Sequence, residues 1–266
     1  AILVSFAHAE PAPLDSASLE HRTLFEQVRP LILENGAKSV APLSESGESW
    51  FWTNAHRLTP LLDAYAYSHD IVYLDTFVSL MEGILAERYI HPSDPETWSG
   101  WYHFQVKTHS YMVIHAGIVY YKPALRFVGL VRAKPSLSAR FGETAKKWYA
   151  DITDVSIPAW DKRGAWKEIG DREGWYVKHT QKPDPLTNKL IPEADKLAGT
   201  TYAYNKLHEM LRGYLIAYRL SGNTWYRDRI EKCARVFRRN WRIDDSHVEW
   251  NYREILGPWD YKSGIL

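Results

Sequence analysis

Between residues 201 and 219 the apolar side chains Leu207, Met210, Leu211, Tyr214, Leu215 and Tyr218 recur at spacings of three and four, the stripe that one face of an α-helix requires. Asn205, His208, Glu209 and Arg212 fall on the other face. Ser221-Gly222-Asn223 ends this helix and opens another, from Thr224 to about Asn240, with Ile230, Cys233, Ala234 and Phe237 as its stripe. The pattern occurs twice. AYAYSHDIVYLD at 64–75 aligns without a gap on AYRLSGNTWYRD at 217–228, sharing Ala64/Ala217, Tyr65/Tyr218, Ser68/Ser221, Tyr73/Tyr226 and Asp75/Asp228. The earlier copy predicts a helix from about Asn54 to Tyr67, a turn at Ser68-His69-Asp70 and a second helix from about Ile71 to Arg88. Both copies are therefore the tight turn of an αα-hairpin.

A third hairpin runs from Lys107 to Val131 and from Ser136 to about Ile152, broken at Ala133-Lys134-Pro135, and residues 18–35 add an amphipathic helix. No stretch sustains the period-two alternation of a strand, so the chain reads as all-α. The hairpins are unevenly spaced, unlike the fixed period of a solenoid, and an (α/α) toroid of inner and outer helices fits them better. VIHAGIVYY at 113–121, apolar nearly all round, has the character of an inner helix. Residues 10–266 then form one toroid domain.

Long segments rich in Trp and Tyr separate the hairpins: DPETWSGWYHF, WDKRGAWKEIGDREGWYVKH and HVEWNYREILGPWDY. Loops of this length more often carry function than not. The chemistry gathers at helix starts and in these loops: Trp52, Asn54, His56 and Arg57; Tyr102, His109 and His115; Asn205, His208 and Glu209; Trp250, Tyr252 and Arg253. Flat aromatic faces stack on sugar rings while Asn, His and Arg bind hydroxyls and carboxylates, which suits a carbohydrate cleft. Each group also has a structural alternative: Trp in the core, buried histidines, and Asn205 with Glu209 as a helix-capping pair.

Composition narrows the choice. The 266 residues carry a formal net charge of +1, without the basic excess that nucleic-acid binding needs. The basic run RVFRRNWR at 235–242 reads as the solvated face of an outer helix. The single Cys233 reads as a small buried apolar residue. No metal site is expected: HEMLR at 208–212 has Arg212 where a zinc motif needs a second His. His109 and His115, six residues apart on one ideal helix, would not share a metal. AILVSFAHAEPAP resembles the end of a secretory signal, with residues 1–9 as its remnant, which implies a secreted or periplasmic protein. No other apolar run approaches a membrane span.

HAGIVYYKPALRFVGLV with PSLSARFGETAKKWY, the hairpin YNKLHEMLRGYLIAYRLSGNTWYRDRIEKCARVFRRN and the VEWNY after it resemble (α/α)-toroid polysaccharide lyases acting on uronate polymers such as glucuronan and alginate. Thr108 of THSY stands where alginate lyases have Asn, a departure from that family's pattern. In such families the toroid continues past a motif like VEWNY, so the resemblance implies a ring that is incomplete at the C-terminus and leaves open whether catalytic residues lie beyond Leu266. The resemblance implies β-elimination on an acidic polysaccharide without a cofactor. The substrate carboxylate would be neutralised by His115, Asn205 and Glu209 while Tyr252 exchanges protons. Arg253 would hold a carboxylate, and Trp52, Tyr102 and Trp250 would stack on sugars, with Asn54, His56, Arg57 and His109 completing the cleft. A glycoside hydrolase or uronate epimerase on the same fold is the alternative, and a hydrolase would draw its carboxylate pair from Glu209, Glu249, Asp260 and Asp161. A non-catalytic helical binding scaffold is the alternative of another class.

Overall fold

The repeated phrase in the sequence folds into the same turn twice, hydrogen bond for hydrogen bond. The computed structural model describes residues 16–105, 108–111, 115–193, 198–239, 241–243 and 248–250. In it α2 (Ser49–Ser68) and α3 (Val72–Ala86) form the first hairpin, and α7 (Tyr204–Ser221) and α8 (Thr224–Arg239) form the last. His69 (φ 58°) and Gly222 (φ 71°) end α2 and α7 in the left-handed conformation, and their N–H groups donate to Tyr65 and Tyr218 carbonyls at 2.8 and 2.7 Å. The Ser68 and Ser221 hydroxyls each accept from the N–H two residues on, at 3.2 and 3.1 Å. The Asp70 and Asn223 side chains then cap the following helices through the N–H of Val72 and Trp225, at 3.1 and 3.0 Å. Tyr73 and Tyr226, the shared aromatics, are buried beneath these turns.

The remaining helices are α1 (Ser16–Ala37), α4 (Lys122–Ala133), α5 (Pro135–Ala150) and the short α6 (Pro158–Lys162). Pro135 opens α5 at the position where a missing N–H costs nothing. The first helix of each pair lies inside: α2 packs on α4, and α4 on α7. Its partner lies outside, α3 on α2, α5 on α4 and α8 on α7, with α1 packed on α2 and α3. This layering of inner and outer helices is the (α/α)-toroid arrangement expected from the uneven hairpins.

Several details differ from the sequence reading. The segment expected to be helical from Lys107 is a β-hairpin, β3 (Tyr102–Gln105) with β4 (Thr108–Tyr111), in the register Phe104↔His109. Helix begins only afterwards, as a π-helical turn over Gly117–Tyr121 that runs into α4. A second π-helical turn, Asp151–Ser156, continues α5 where a helix end was expected. Four more antiparallel pairs occupy the loops: β1 (Tyr89–Ile90) with β2 (Ser99–Gly100), β5 (Trp166–Ile169) with β6 (Glu173–Tyr176), β7 (Gln181–Pro183) with β8 (Leu190–Pro192), and β9 (Trp241–Ile243) with β10 (Val248–Trp250). None exceeds four residues, too short for alternation to register as a pattern. On α7 the buried stripe is Tyr204, Leu207, Met210, Leu211 and Tyr214, whereas Leu215 is 38% exposed. On α8 Cys233 and Val236 are buried and Ala234 is exposed. The buried face of α8 also includes Arg229, whose guanidinium lies 3.8 Å from the Trp166 ring centre and 4.8 Å from that of Trp225 while it pairs with Asp161 at 2.7 Å. Two arginines of the basic run are answered by acids, as on a solvated face: Arg235 by Glu231 and Arg239 by Glu173.

Two glycines let the inner helices touch backbone to backbone. A Cβ at Gly117 would stand 2.5 Å from Met210 Cα and 2.6 Å from its nitrogen, and one at Gly213 would stand 2.8 Å from Tyr121 Cβ. A side chain at Gly117 has nowhere to go, because its neighbour is main chain. Gly117→Ala is therefore expected to lower unfolding free energy by about 1–3 kcal/mol, the usual cost of overpacking. Denaturant unfolding followed by circular dichroism checks this; an unchanged midpoint would mean that α7 is not held at this distance.

Candidate functional site

The tight turns at 68–70, 133–135 and 221–223 each lead out of an inner helix, whereas every long connection delivers the chain to the start of one. The N-terminal ends of α2, α4 and α7 therefore share the end of the bundle that carries the aromatic loops. Helix N-termini present unpaired N–H groups and a positive potential, so this end favours acidic groups.

Glu48 immediately precedes α2, His115 lies two residues ahead of the π-helical turn, and Lys206 sits in the first turn of α7. These three meet. Glu48 Oε1 lies 3.3 Å from His115 Nε2, accepts from the Lys206 ammonium, and is approached by the Trp52 indole N–H at 3.5 Å. His115 is 1% exposed, stacks on Phe51 at 4.5 Å between ring centres, and meets Trp52 edge-on at 6.2 Å. The hydrogen bond from His115, followed by that from Lys206, holds the Glu48 carboxyl well below the usual carboxylate range against the opposing effect of partial burial.

One turn further along α7, Glu209 pairs with Lys122 at the start of α4 and with Arg212 at 2.9 Å. Lys206 and Glu209 are three residues apart on one helix, so a second carboxylate lies about one turn along α7 from the first group.

Of the residues singled out from the sequence, His115, Trp52 and Glu209 arrive at this mouth. Asn205 is exposed beside them, its side-chain oxygen accepting from the Lys206 N–H at 2.9 Å. It does not form a capping pair with Glu209, because Ala203 holds the cap position of α7. His56 is exposed on α2. Three expectations are corrected. Arg57 is occupied at the C-terminal end of α1, donating to the carbonyls of Asn35 (2.8 Å), Gly36 (3.4 Å) and Lys38. Asn54 is buried and serves the same clamp, accepting from Arg57 at 2.9 Å while donating to the Trp50 carbonyl. Tyr102 is buried, packs edge-on against Tyr89 and donates its hydroxyl to the Pro183 carbonyl, so it offers no face to a sugar. For His109 and Trp250 only the backbone is described, in β4 and β10; Tyr252, Arg253 and the leader at 1–9 lie outside the described residues.

Glu48 and Lys206 were not singled out from the sequence. Lys206 carried a signal, since it falls in step with Met210, Gly213 and Ala217 on the buried stripe of α7, where a cation requires a partner. Among the described residues no group of three His, Cys, Asp or Glu side chains is placed to hold a metal ion, and no helix is long and apolar enough to cross a membrane.

Two outcomes follow from these assignments. A carboxyl whose folded pKa lies below its unfolded value stabilises the fold above the unfolded pKa and loses that contribution as pH falls through the folded one. Acid unfolding of Glu48→Gln should accordingly show a shallower loss of stability below about pH 4.5 than the parent chain. Arg57→Ala should lower thermal stability, by about 2 kcal/mol for the carbonyls it leaves unpaired, while the Glu48 titration followed by NMR stays unchanged.

No family model matches the chain, and no curated protein matches it. Among solved structures, an inactive variant of the alpha-1,6-mannanase GH76A of Salegentibacter sp. HEL1_6 in complex with alpha-1,6-mannotriose gives a TM-score of 0.48 at 13% identity, over 86% of this chain and 59% of that one. A second inactive variant in complex with alpha-1,6-mannotetrose gives 0.43 at 12%, over 84% and 58%. The chain spans about three fifths of the length of these two structures. At such scores the likeness carries no argument about chemistry, which rests on the residues of the mouth.

Proposed function

We propose that the chain is a carbohydrate-active enzyme that cleaves glycosidic linkages by hydrolysis at the mouth formed by the N-terminal ends of its inner helices. The observation that carries this reading is the pair of carboxylates, Glu48 and Glu209, brought to one mouth by α2 and α7 beside the half-buried Trp52. Of the acids considered from sequence, Glu209 stands at this mouth, Asp161 pairs with Arg229, and Glu249 and Asp260 have no described side chain. Glu48, held ionised, suits the base that takes a proton from water as the water oxygen bonds to the anomeric carbon. The departing sugar oxygen takes a proton from a second acid, for which Glu209 is the adjacent carboxyl.

A second reading is favoured by one specific observation. Lys122 and Arg212 pair with Glu209, which favours its ionised form over the protonated form that an acid catalyst needs. In β-elimination no carboxylic acid is required: His115 and Lys206 would help to neutralise a uronate carboxylate, with Asn205 and Glu209, while Tyr252 exchanges protons and Arg253 binds substrate.

The test incubates the chain with alpha-1,6-mannan, glucuronan, alginate, hyaluronan and pectate, recording new reducing ends and the ultraviolet absorbance of unsaturated product. Reducing ends without absorbance, lost by about 100-fold or more in Glu48→Gln, are expected for hydrolysis. Reducing ends with absorbance would establish elimination instead. Retention of one of these polymers on the chain with neither signal would overturn both readings in favour of a binding scaffold.

A further inference from the structure

Three donors from three separate segments converge on a single oxygen of Glu48. The Lys206 ammonium, the His115 imidazole Nε2 and the Trp52 indole N–H all address Oε1. Among the described residues no donor addresses Oε2. The carboxylate is also the accessible member of the group: its side chain is 37% exposed, against 7% for Lys206 and 1% for His115. An ionised carboxylate accepts at both of its oxygens, so donors confined to one oxygen leave the acceptor sites of the other unused. Here the three donors crowd one oxygen of a carboxylate that stays partly open to solvent.

We infer that Glu48 Oε2 is the proton-accepting atom of the mouth and that Lys206 is its positioning residue, fixing Oε1 from the buried face of α7 so that Oε2 keeps one direction. The inference rests on the enzyme reading above and deepens it. A lysine on the buried stripe of a helix is otherwise unfavourable, since its ammonium loses water and gains only what its partner supplies. The ion pair also links the start of α7 to the start of α2, while His115 approaches from the segment between α3 and α4. Among the described residues His115 and Lys206 are the titratable groups in contact with this carboxylate, with Glu209, Arg212 and Lys122 further along α7 and α4; the hydrogen bond from His115 is the largest single cause that lowers its proton affinity, and Lys206 adds both a hydrogen bond and a charge. Lys206 therefore contributes both direction and charge to the carboxylate.

The experiment follows the Glu48 side-chain carbon by NMR in the full chain labelled at glutamate, assigned with Glu48→Gln, in the parent, Lys206→Met and Lys206→Arg. Lys206→Met is expected to raise the Glu48 titration midpoint by about one pH unit, and Lys206→Arg to restore most of that shift. On any polymer that is cleaved, the acid limb of kcat should move up with it, with KM changing by less than about threefold. An unmoved midpoint in folded Lys206→Met would overturn the inference whether or not the chain cuts a glycan. A moved midpoint with no cleavage of any polymer would uphold the Lys206–Glu48 link and remove the enzyme reading instead. If Lys206→Met does not fold, Lys206→Gln, which keeps a donor without the charge, is expected to raise the midpoint in the same direction by a smaller amount, and an unmoved midpoint there overturns the inference equally.

Discussion

The structure depends on how closely the π-helical turn before α4 lies against α7. Gly117 faces the main chain of Met210, and Gly213 faces the Cβ of Tyr121, so neither contact leaves room for a side chain. Close approach of this kind fixes the relative height of two helices, because a methyl group at either point would force them apart. With that height set, Lys122 reaches Glu209 and Lys206 reaches Glu48. Placing α7 anywhere else would leave two buried or half-buried lysines without their carboxylates.

A second constraint comes from the hairpin connections. Tight turns need little more than a left-handed residue and a side-chain cap, and both hairpins meet this with a Ser, a left-handed residue and an Asx in sequence. Because these turns are short and lead out of the inner helices, every long connection falls at the opposite end. The aromatic loops, the three inner-helix N-termini and the Glu48, His115 and Lys206 group are thereby gathered at one mouth by chain topology. The loops are themselves well packed there: Trp101, Trp160 and Trp175 are fully buried, and Lys182 pairs with Glu193 at 3.0 Å out of contact with water. Most loop tryptophans are thus core, and the half-buried Trp52 is the one that borders the Glu48 group.

The residues of the mouth divide into those that hold the scaffold and those with an atom to spare. Arg57 and Asn54, polar and at the start of an inner helix, look from sequence like substrate ligands, yet every direction of the Arg57 guanidinium ends on α1, the chain after it, or Asn54. Asp151 is used similarly, taking two bonds from Arg88 at 2.6 and 2.8 Å and one from the Tyr120 hydroxyl at 2.8 Å, and its pKa is held below the ordinary range despite burial. Glu48 differs because its donors crowd one oxygen.

By itself the sequence determined the helical hairpins and their turns. Those rest on local physics: three-and-four spacing of apolar residues, a left-handed residue, a Ser and an Asx cap, all within a few positions of one another. It also marked His115, Trp52 and Glu209, since polar groups at the start of an apolar helix stand out against the pattern. The β-hairpins were not legible, because strands of two to four residues are held by pairing across a loop and leave no periodic trace. Only the tertiary structure decided that Arg57 clamps α1, that Tyr102 turns inward, and that Glu48, unremarkable in GESW, meets His115 and Lys206 from 67 and 158 residues away. The reason is physical: the partner of a charge is set by which helix ends the packing brings together, and packing distance is not written in the spacing along the chain.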